Sequence, residues 1–196
     1  MLRHRYEDHF RYQVGTDEAG RGCLAGPVVA AAVLFPENYQ NEAINDSKKL
    51  HKSKRDELRK IIESDAISYA VGICDHLEID QYNILWASVL AMHKAIDQIS
   101  HPIDLILVDG NKFKPHPKAE HRCIVKGDSK FIQIAAASIL AKTYRDDLMI
   151  ELDNQYPEYQ FRKNKGYPSP SHIAAIKEFG YSNIHRKSFV VKTLVL

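Results

Sequence analysis

Long apolar runs are missing from this chain. No stretch of its 196 residues approaches the ~20 consecutive apolar residues that a membrane-spanning helix needs. The opening MLRHRYEDHF carries charge throughout and holds no apolar signal core, so secretion is not expected. Cysteine is scarce. Cys23, Cys74 and Cys123 are odd in number, far apart and outside any CxxC or Cys/His spacing. A disulfide framework and a zinc site are therefore both disfavoured, and three free thiols in a reducing cytoplasm are expected. The ten histidines are scattered and none sits in an HExxH frame, so none is assigned to a metal. An excess of one charge is lacking too: 27 Lys and Arg against 25 Asp and Glu leave a net +2, which alone indicates no polyanion. Repeats, low-complexity segments and long linkers are absent. What remains is 44% apolar and 27% charged, the composition of a globular chain with room for a sizeable core: one medium domain, at most with a small appendage.

The distribution of charge says more than its sum. His116, Lys118, His121, Arg122, Lys126 and Lys130 follow one another closely, with Lys112 and Lys114 just before them, and Arg162, Lys163 and Lys165 form a second knot. Charge runs are usually solvated faces, but two such knots suit a phosphate track.

The chain is arranged around residues 13–30, QVGTDEAGRGCLAGPVVA. It starts as a strand over 12–16, places Asp17 and Glu18 side by side, and continues into Gly20-Arg21-Gly22 and Gly26-Pro27. Glycines behind strand-end acids expose backbone that a polyanion can approach closely. Neighbouring strand residues face opposite ways, so both acids reach one site only if the strand ends or twists there. An isolated Asp-Glu pair is more often a charged strand end with a turn behind it; here the rest of the chain supplies matching parts.

A buried strand over 28–34 follows and forms an antiparallel hairpin with the first. Ser53 is the expected cap of a helix reaching about residue 63, with Leu58, Ile61 and Ile62 inward. Residues 67–73 alternate like a third strand. Helical spacing of Ile79, Ile84, Leu85, Val89, Met92 and Ile96 predicts a helix over 77–99 with Asp80 as its N-cap. Trp86 is expected in the core rather than as a platform for a base. Residues 104–108 (DLILV) predict a buried parallel strand that delivers Asp109 at its carboxyl end, where active-site groups of α/β sheets collect. A turn-forming Asp-Gly is the competing explanation. A short strand over 123–125 delivers Asp128 in the same way. A helix over 132–155 places Ser138 and Lys142 on one face. Gly166-Tyr167-Pro168 reads as a rigid turn with an aromatic at its tip, and Ser171 as the cap of a last helix over 172–179.

Three or four carboxylates at strand ends, with little else of catalytic character, indicate hard divalent cations, Mg²⁺ or Mn²⁺. A pair of such ions clamps the attacking and leaving oxygens of a phosphodiester displacement. With basic knots and a glycine-rich loop nearby, the residues describe a metal-dependent nuclease on a mixed sheet.

An ordered set of motifs runs over residues 12–189. Asp17-Glu18-Ala19-Gly20-Arg21-Gly22 with Leu24-Ala25-Gly26-Pro27-Val28-Val29 opens it, and Asn45-Asp46-Ser47-Lys48-Lys49-Leu50 and Ile79-Asp80-Gln81-Tyr82-Asn83 follow. Val108-Asp109-Gly110-Asn111, Lys126-Gly127-Asp128-Ser129-Lys130, the segment from Ala135 to Lys142 with Arg145-Asp146, Lys165-Gly166-Tyr167-Pro168, His185-Arg186 and Ser188-Phe189 complete it. The set resembles ribonuclease HII. The resemblance implies an α/β, ribonuclease H-like fold: a central mixed five-stranded sheet flanked by helices, in one catalytic domain over 1–196, with a small C-terminal helical part from about residue 156. It implies endonucleolytic cleavage of the RNA strand of RNA–DNA hybrids and nicking at single ribonucleotides in duplex DNA. The ends left are 3′-hydroxyl and 5′-phosphate, and the role is ribonucleotide removal from DNA. Two divalent ions, Mn²⁺ or Mg²⁺, are implied during catalysis, as are a cytoplasmic location and a monomer.

The same resemblance assigns the metal ligands and catalytic acids to Asp17, Glu18 and Asp109, with Asp128 as the fourth. Asp146 competes on composition alone, but beside Arg145 in a helix an ion-pair role is expected for it. Gly20, Arg21, Gly22 and Tyr167 match the reader of the ribose 2′-hydroxyl, and Lys48, Ser138 and Lys142 match phosphate contacts. Cys23 stands where the family often has proline, and Ser169-Pro170 departs from a commoner threonine pattern. Two rival functions are another metal-dependent phosphoryl-transfer enzyme and a hybrid-binding module without catalysis. The second gains nothing from clustered negative charge beside phosphates.

Overall fold

The computed structural model describes residues 2–45, 47 and 50–189. Lys48, one of the expected phosphate contacts, lies outside the described residues.

Five strands, β1 (Gln13–Ala19), β2 (Val28–Leu34), β3 (Ser68–Cys74), β4 (Leu105–Asp109) and β5 (Glu120–Ile124), form one mixed sheet in the order β3-β2-β1-β4-β5. β1, β2 and β3 pair antiparallel, while β1, β4 and β5 pair parallel. The expected hairpin and parallel strand are therefore present. The helices are α1 (Lys52–Asp65), α2 (His76–Asp97), α3 (Ile132–Gln155), the short α4 (Phe161–Asn164) and α5 (Pro170–Phe179).

Burial of β2 on both faces explains its unbroken apolar run. Val28, Ala30, Ala32 and Leu34 pack in one cluster with Ala87, Ala91, Met92 and Ile96 of α2. Ala31 and Val33 face the other cluster, with Leu58 and Ile62 of α1 and the alanine-rich side of α3. Two glycines set how near the helices come. A Cβ on Gly15 of β1 would sit 2.3 Å from the backbone carbonyl carbon of Gln133 on α3, and one on Gly72 of β3 would sit 2.0 Å from the carbonyl oxygen of Ala91 on α2. The obstacle is backbone in each case, so it cannot rotate away. Gly15→Ala is accordingly expected to cost ~3 kcal/mol or more, at the upper end of overpacking changes. Chemical denaturation would measure it, and a loss below about 1 kcal/mol would show that α3 can lift from the sheet.

Helix starts differ from the sequence expectation in three places. α1 begins behind His51 with no side-chain cap, and Ser53 lies inside it. Asp75, not Asp80, caps α2: its carboxylate accepts from the Glu78 N–H while Glu78 reaches back to the Asp75 N–H. Asp80 instead accepts from the Lys187 and Ser188 N–H groups and the Ser188 hydroxyl, tying the C-terminal segment to α2. Ser169, not Ser171, caps α5 by accepting from the His172 N–H, with Pro170 at the first helical position. The expected uninterrupted helix over 77–99 also breaks. Asn83 takes φ 61 and ψ 164, and its side chain accepts from the Leu85 and Trp86 N–H groups, recapping the second segment. Trp86 is half-buried, with the Lys114 ammonium 4.6 Å from its ring centre.

The C-terminal helices bring Tyr159, Phe161, Ala175 and Ile176 against Leu24, Ala25 and Met149. They therefore pack on the loop that joins β1 to β2. Among the described residues, no helix is long and apolar enough to cross a membrane.

Candidate active site

The site forms where the parallel pairing of β1 and β4 stops. The last paired residues are Thr16 and Val108, so Asp17 and Asp109 are the next in register. β1 itself does not end there. It continues to Ala19 on its other edge, where Asp17, Glu18 and Ala19 pair with Ala31, Ala30 and Val29 of β2. The strand therefore does not end at the acids: only β4 leaves, and β2 stays paired. Asp17 lies on the α3 side, hydrogen-bonded by Ser138. Glu18 also lines a small neighbouring cavity with Leu85 and Ser88 of α2. Both acids, with Asp109, line a cleft of about 500 Å³.

The other lining residues are Ala19, Gly20, Arg21, Gly22, Ser47, Arg55, Ser138, Lys142 and Tyr167. The cleft therefore brings together ten of the residues singled out from the sequence or adjacent to them, and adds Ser47 and Arg55. Ser47 belongs to the 45–50 motif but had no assigned role, and Arg55 had no sequence signal. Ser47 Oγ lies 2.9 Å from Ser138 Oγ, and the Arg55 guanidinium donates to the Ser47 and Leu50 carbonyls. The Ser138 hydroxyl is thereby engaged by Asp17 and Ser47, which makes it a support for Asp17 as well as a cleft residue.

Electrostatically the acids are held at a cost. Burial, then the charges of Glu18 and Asp109, push the Asp17 carboxyl well above the usual carboxylate range. Burial also raises Glu18, opposed by the Arg21 guanidinium 3.1 Å from its Oε1. Asp17 Oδ1 accepts from the Glu18 N–H at 2.7 Å, and Asp109 Oδ1 accepts from the Gly127 N–H at 2.6 Å. Among the described residues, no three His, Cys, Asp or Glu side chains are gathered into a ready-made metal-holding cluster. The donor chemistry nevertheless fits a hard divalent ion: all-oxygen ligands, buried, mutually repelling and open to a cleft.

Asp128 is buried in a short 3₁₀ turn, Gly127–Ser129, entered through Lys126 at φ 56. It does not line the cleft; its neighbour Gly127 supplies the N–H that holds Asp109. Asp146 takes a different partner from the one expected. It accepts from Lys142 Nζ at 2.6 Å, one helical turn away, while Arg145 turns to backbone carbonyls. Distance along the helix explains this, since positions four apart share a face and adjacent ones do not.

Two buried guanidiniums, one of them expected to pair with Asp146, build the loop of residues 20–27. Arg186 donates to the Gly20, Arg21, Gly26 and Pro27 carbonyls, and Arg145 to those of Ala25, Pro27 and Lys165. Burial pushes Arg186 down to about 10. Gly20 has φ +97, and a Cβ there would sit 2.0 Å from Arg145 Nε. That glycine serves the arginine, whereas at Gly22 a Cβ would meet only Tyr167, at 3.9 Å. Tyr167 stands across the cleft, with the Lys142 ammonium 5.9 Å and the Arg145 guanidinium 5.8 Å from its ring centre. Burial, then the neighbouring Cys23 thiol, pushes its hydroxyl up.

Comparison with known proteins gives one consistent result. A family model described as Ribonuclease HII matches residues 14–192. The ribonuclease HII of Parabacteroides distasonis is 54% identical over 186 residues, 95% of this chain and 94% of that protein. Among solved structures, the ribonuclease H2 from Pyrococcus horikoshii OT3 superposes with a TM-score of 0.77 at 25% identity, covering 91% of this chain and 93% of that one. The structure of Bst-RNase HIII in complex with Mn²⁺ shares the fold at a TM-score of 0.62 and 18% identity, covering 86% and 63%.

Proposed function

The chain belongs to the ribonuclease HII family, metal-dependent endonucleases acting on RNA–DNA hybrids, and from that premise we propose how its cleft works and on what. The substrate is an RNA–DNA hybrid or a DNA duplex carrying a single ribonucleotide. The reaction is hydrolysis at the ribonucleotide, leaving 3′-hydroxyl and 5′-phosphate ends. In the cell this removes ribonucleotides from DNA, in the cytoplasm, by a monomer whose residues 1–196 form one catalytic domain. The observation that carries the reading is the meeting of Asp17, Glu18 and Asp109 in one cleft with Gly20, Arg21, Gly22 and Tyr167.

In this reading Asp17, Glu18 and Asp109 hold two Mg²⁺ or Mn²⁺ ions, with Asp128 as the fourth acid. When bound, such ions polarise the phosphodiester and lower the pKa of a water nucleophile. The chain's own groups do the rest. Ser138 orients Asp17, the Gly127 N–H orients Asp109, and Arg21 orients Glu18. Lys142, released in part from Asp146, meets a phosphate, Ser138 assists beside it in the cleft, and Lys48 is a further phosphate contact. Gly20-Arg21-Gly22 and Tyr167 contact the ribose, whose 2′-hydroxyl both donates and accepts hydrogen bonds.

The direct test is incubation of a duplex bearing one ribonucleotide with Mg²⁺ or Mn²⁺. A nick at the ribonucleotide is expected, and none in excess chelator. An intact duplex, or binding without cleavage, would favour the rival readings. The two remaining acids separate in the same assay. Asp128→Asn is expected to slow nicking ~10–100-fold, as for groups that support a metal site. Asp146→Asn is expected to keep nicking and cost about 1 kcal/mol of stability through its partly buried pair with Lys142. Normal nicking in Asp128→Asn with loss in Asp146→Asn would exchange their roles.

A further inference from the structure

His172 of α5 and His185 of the C-terminal segment are buried to 0% and 1% exposure and take no part in the cleft. Their hydrogen bonds fix the state of both rings. His172 Nδ1 lies 2.9 Å from the Tyr167 carbonyl oxygen, which can only accept, so Nδ1 carries the proton. A neutral His172 then offers a lone pair at Nε2, which faces His185 Nε2 at 3.0 Å. His185 must donate there. Its Nδ1 is left to accept from the Ser182 N–H at 2.9 Å and the Ser182 hydroxyl at 2.7 Å. All four ring nitrogens are satisfied only if both imidazoles are neutral and in opposite tautomers; one extra proton would set N–H against N–H. Burial favours this state by pushing both rings down, His185 to about 4. The rings of Tyr159, Phe161 and Tyr181 meet the pair in T-shaped contacts.

The chain of bonds ends on the backbone of Tyr167. That residue's carbonyl also accepts from the Ser169 N–H at 2.7 Å, and its N–H donates to the Asn164 carbonyl at 2.9 Å. The turn is close-fitted as well, because a Cβ on Gly166 would sit 2.6 Å from the Ala25 carbonyl oxygen. The side chain of Tyr167, in contrast, is 41% exposed, with the Lys142 and Arg145 cations flanking its ring. The angle at which its ring enters the cleft is therefore set from behind, through the peptide.

We propose that His172 and His185 are a positioning pair: two neutral imidazoles in opposite tautomers that lock the Tyr167 peptide and so aim its ring at the ribose. This rests on the reading of Tyr167 as a ribose contact. The pair touches neither substrate nor carboxylates, so it governs selection of a lone ribonucleotide more than hydrolysis of a continuous hybrid.

Two measurements test it. In the wild-type protein, ¹⁵N imidazole spectra should show the Nδ1–H tautomer for His172 and the Nε2–H tautomer for His185. The same tautomer in both rings, or a protonated ring at neutral pH, would overturn the pair even if no variant folds. In single-turnover cleavage, His172→Phe should lose about tenfold at a lone ribonucleotide, the effect of one buried hydrogen bond, and about twofold or less on a continuous hybrid. His172→Asn, whose amide restores the donor at the Nδ1 position, should recover most of the loss. In a Tyr167→Ala background, His172→Phe should add nothing further at the lone ribonucleotide. Equal losses on both substrates, no rescue by Asn, or multiplying effects with Tyr167→Ala would each overturn the proposal while leaving Tyr167 in place. Wild-type nicking by Tyr167→Ala itself would remove both.

Discussion

Asp109→Asn is expected to reduce cleavage by ~1,000-fold or more, since a carboxylate at the point where two parallel strands part is lost from the charge-stabilising set. Binding of the hybrid should persist or tighten, because a negative charge near phosphates disappears. Asp17→Asn should behave alike, and it carries a second readout that needs no turnover. Asp17 is buried beside Glu18 and Asp109, and its folded-state pKa lies above its unfolded value. The folded protein therefore binds that proton more tightly than the unfolded chain does. Its contribution to the stability of the metal-free protein should be fully present below the unfolded carboxylate range and be lost as pH rises through the raised value. At neutral pH the charge is a burden on the fold, and Asp17→Asn should raise the metal-free Tm. Wild-type protein should gain Tm on addition of Mn²⁺ or Mg²⁺, and the variant should lose that gain. Full activity in either variant, or an unchanged metal-dependent Tm in Asp17→Asn, would contradict the assignment.

Tyr167→Ala is expected to lower single-turnover nicking at an embedded ribonucleotide ~10–100-fold, the range of aromatic contacts with nucleotides. Tyr167→Phe should do less damage. The hydroxyl sits beside the buried Cys23 thiol, while the ring is what the cleft exposes, flanked by Lys142 and Arg145. Both variants should fold and bind metal, which a thermal melt with and without Mn²⁺ would establish. Equal losses in the two variants would transfer the role to the hydroxyl. Wild-type rates in a folded Tyr167→Ala protein would remove Tyr167 from the site.

Much of this molecule is legible without coordinates. The apolar run of β2, the helical period of α3 and the DLILV strand announce themselves because burial on a regular element imposes a period, or an unbroken run, on the sequence itself. The acids at 17, 18 and 109 are legible for a related reason: they follow such runs immediately, and the ordered motifs around them identify the family. Helix starts were less so. Asp75, Asp80, Ser53, Ser169 and Ser171 are all capable caps, and which one caps depends on where the chain enters the helix. Asp80 was taken up by Lys187 and Ser188, over a hundred positions away.

Composition and order thus determined the family, the sheet-and-helix plan and the strand-end acids of this protein. Tertiary structure alone decided that Glu18 and Asp17 share a cleft without the strand ending, that Asp146 answers to Lys142, and that Gly20 makes room for Arg145. It also decided that Arg186 holds the Gly20 carbonyl and that the paired histidines bond to the Tyr167 carbonyl. The reason is physical. Periodicity records which face of an element is buried, but a hydrogen bond between residues far apart in the chain leaves no period, and its partner is chosen only when the fold closes the distance.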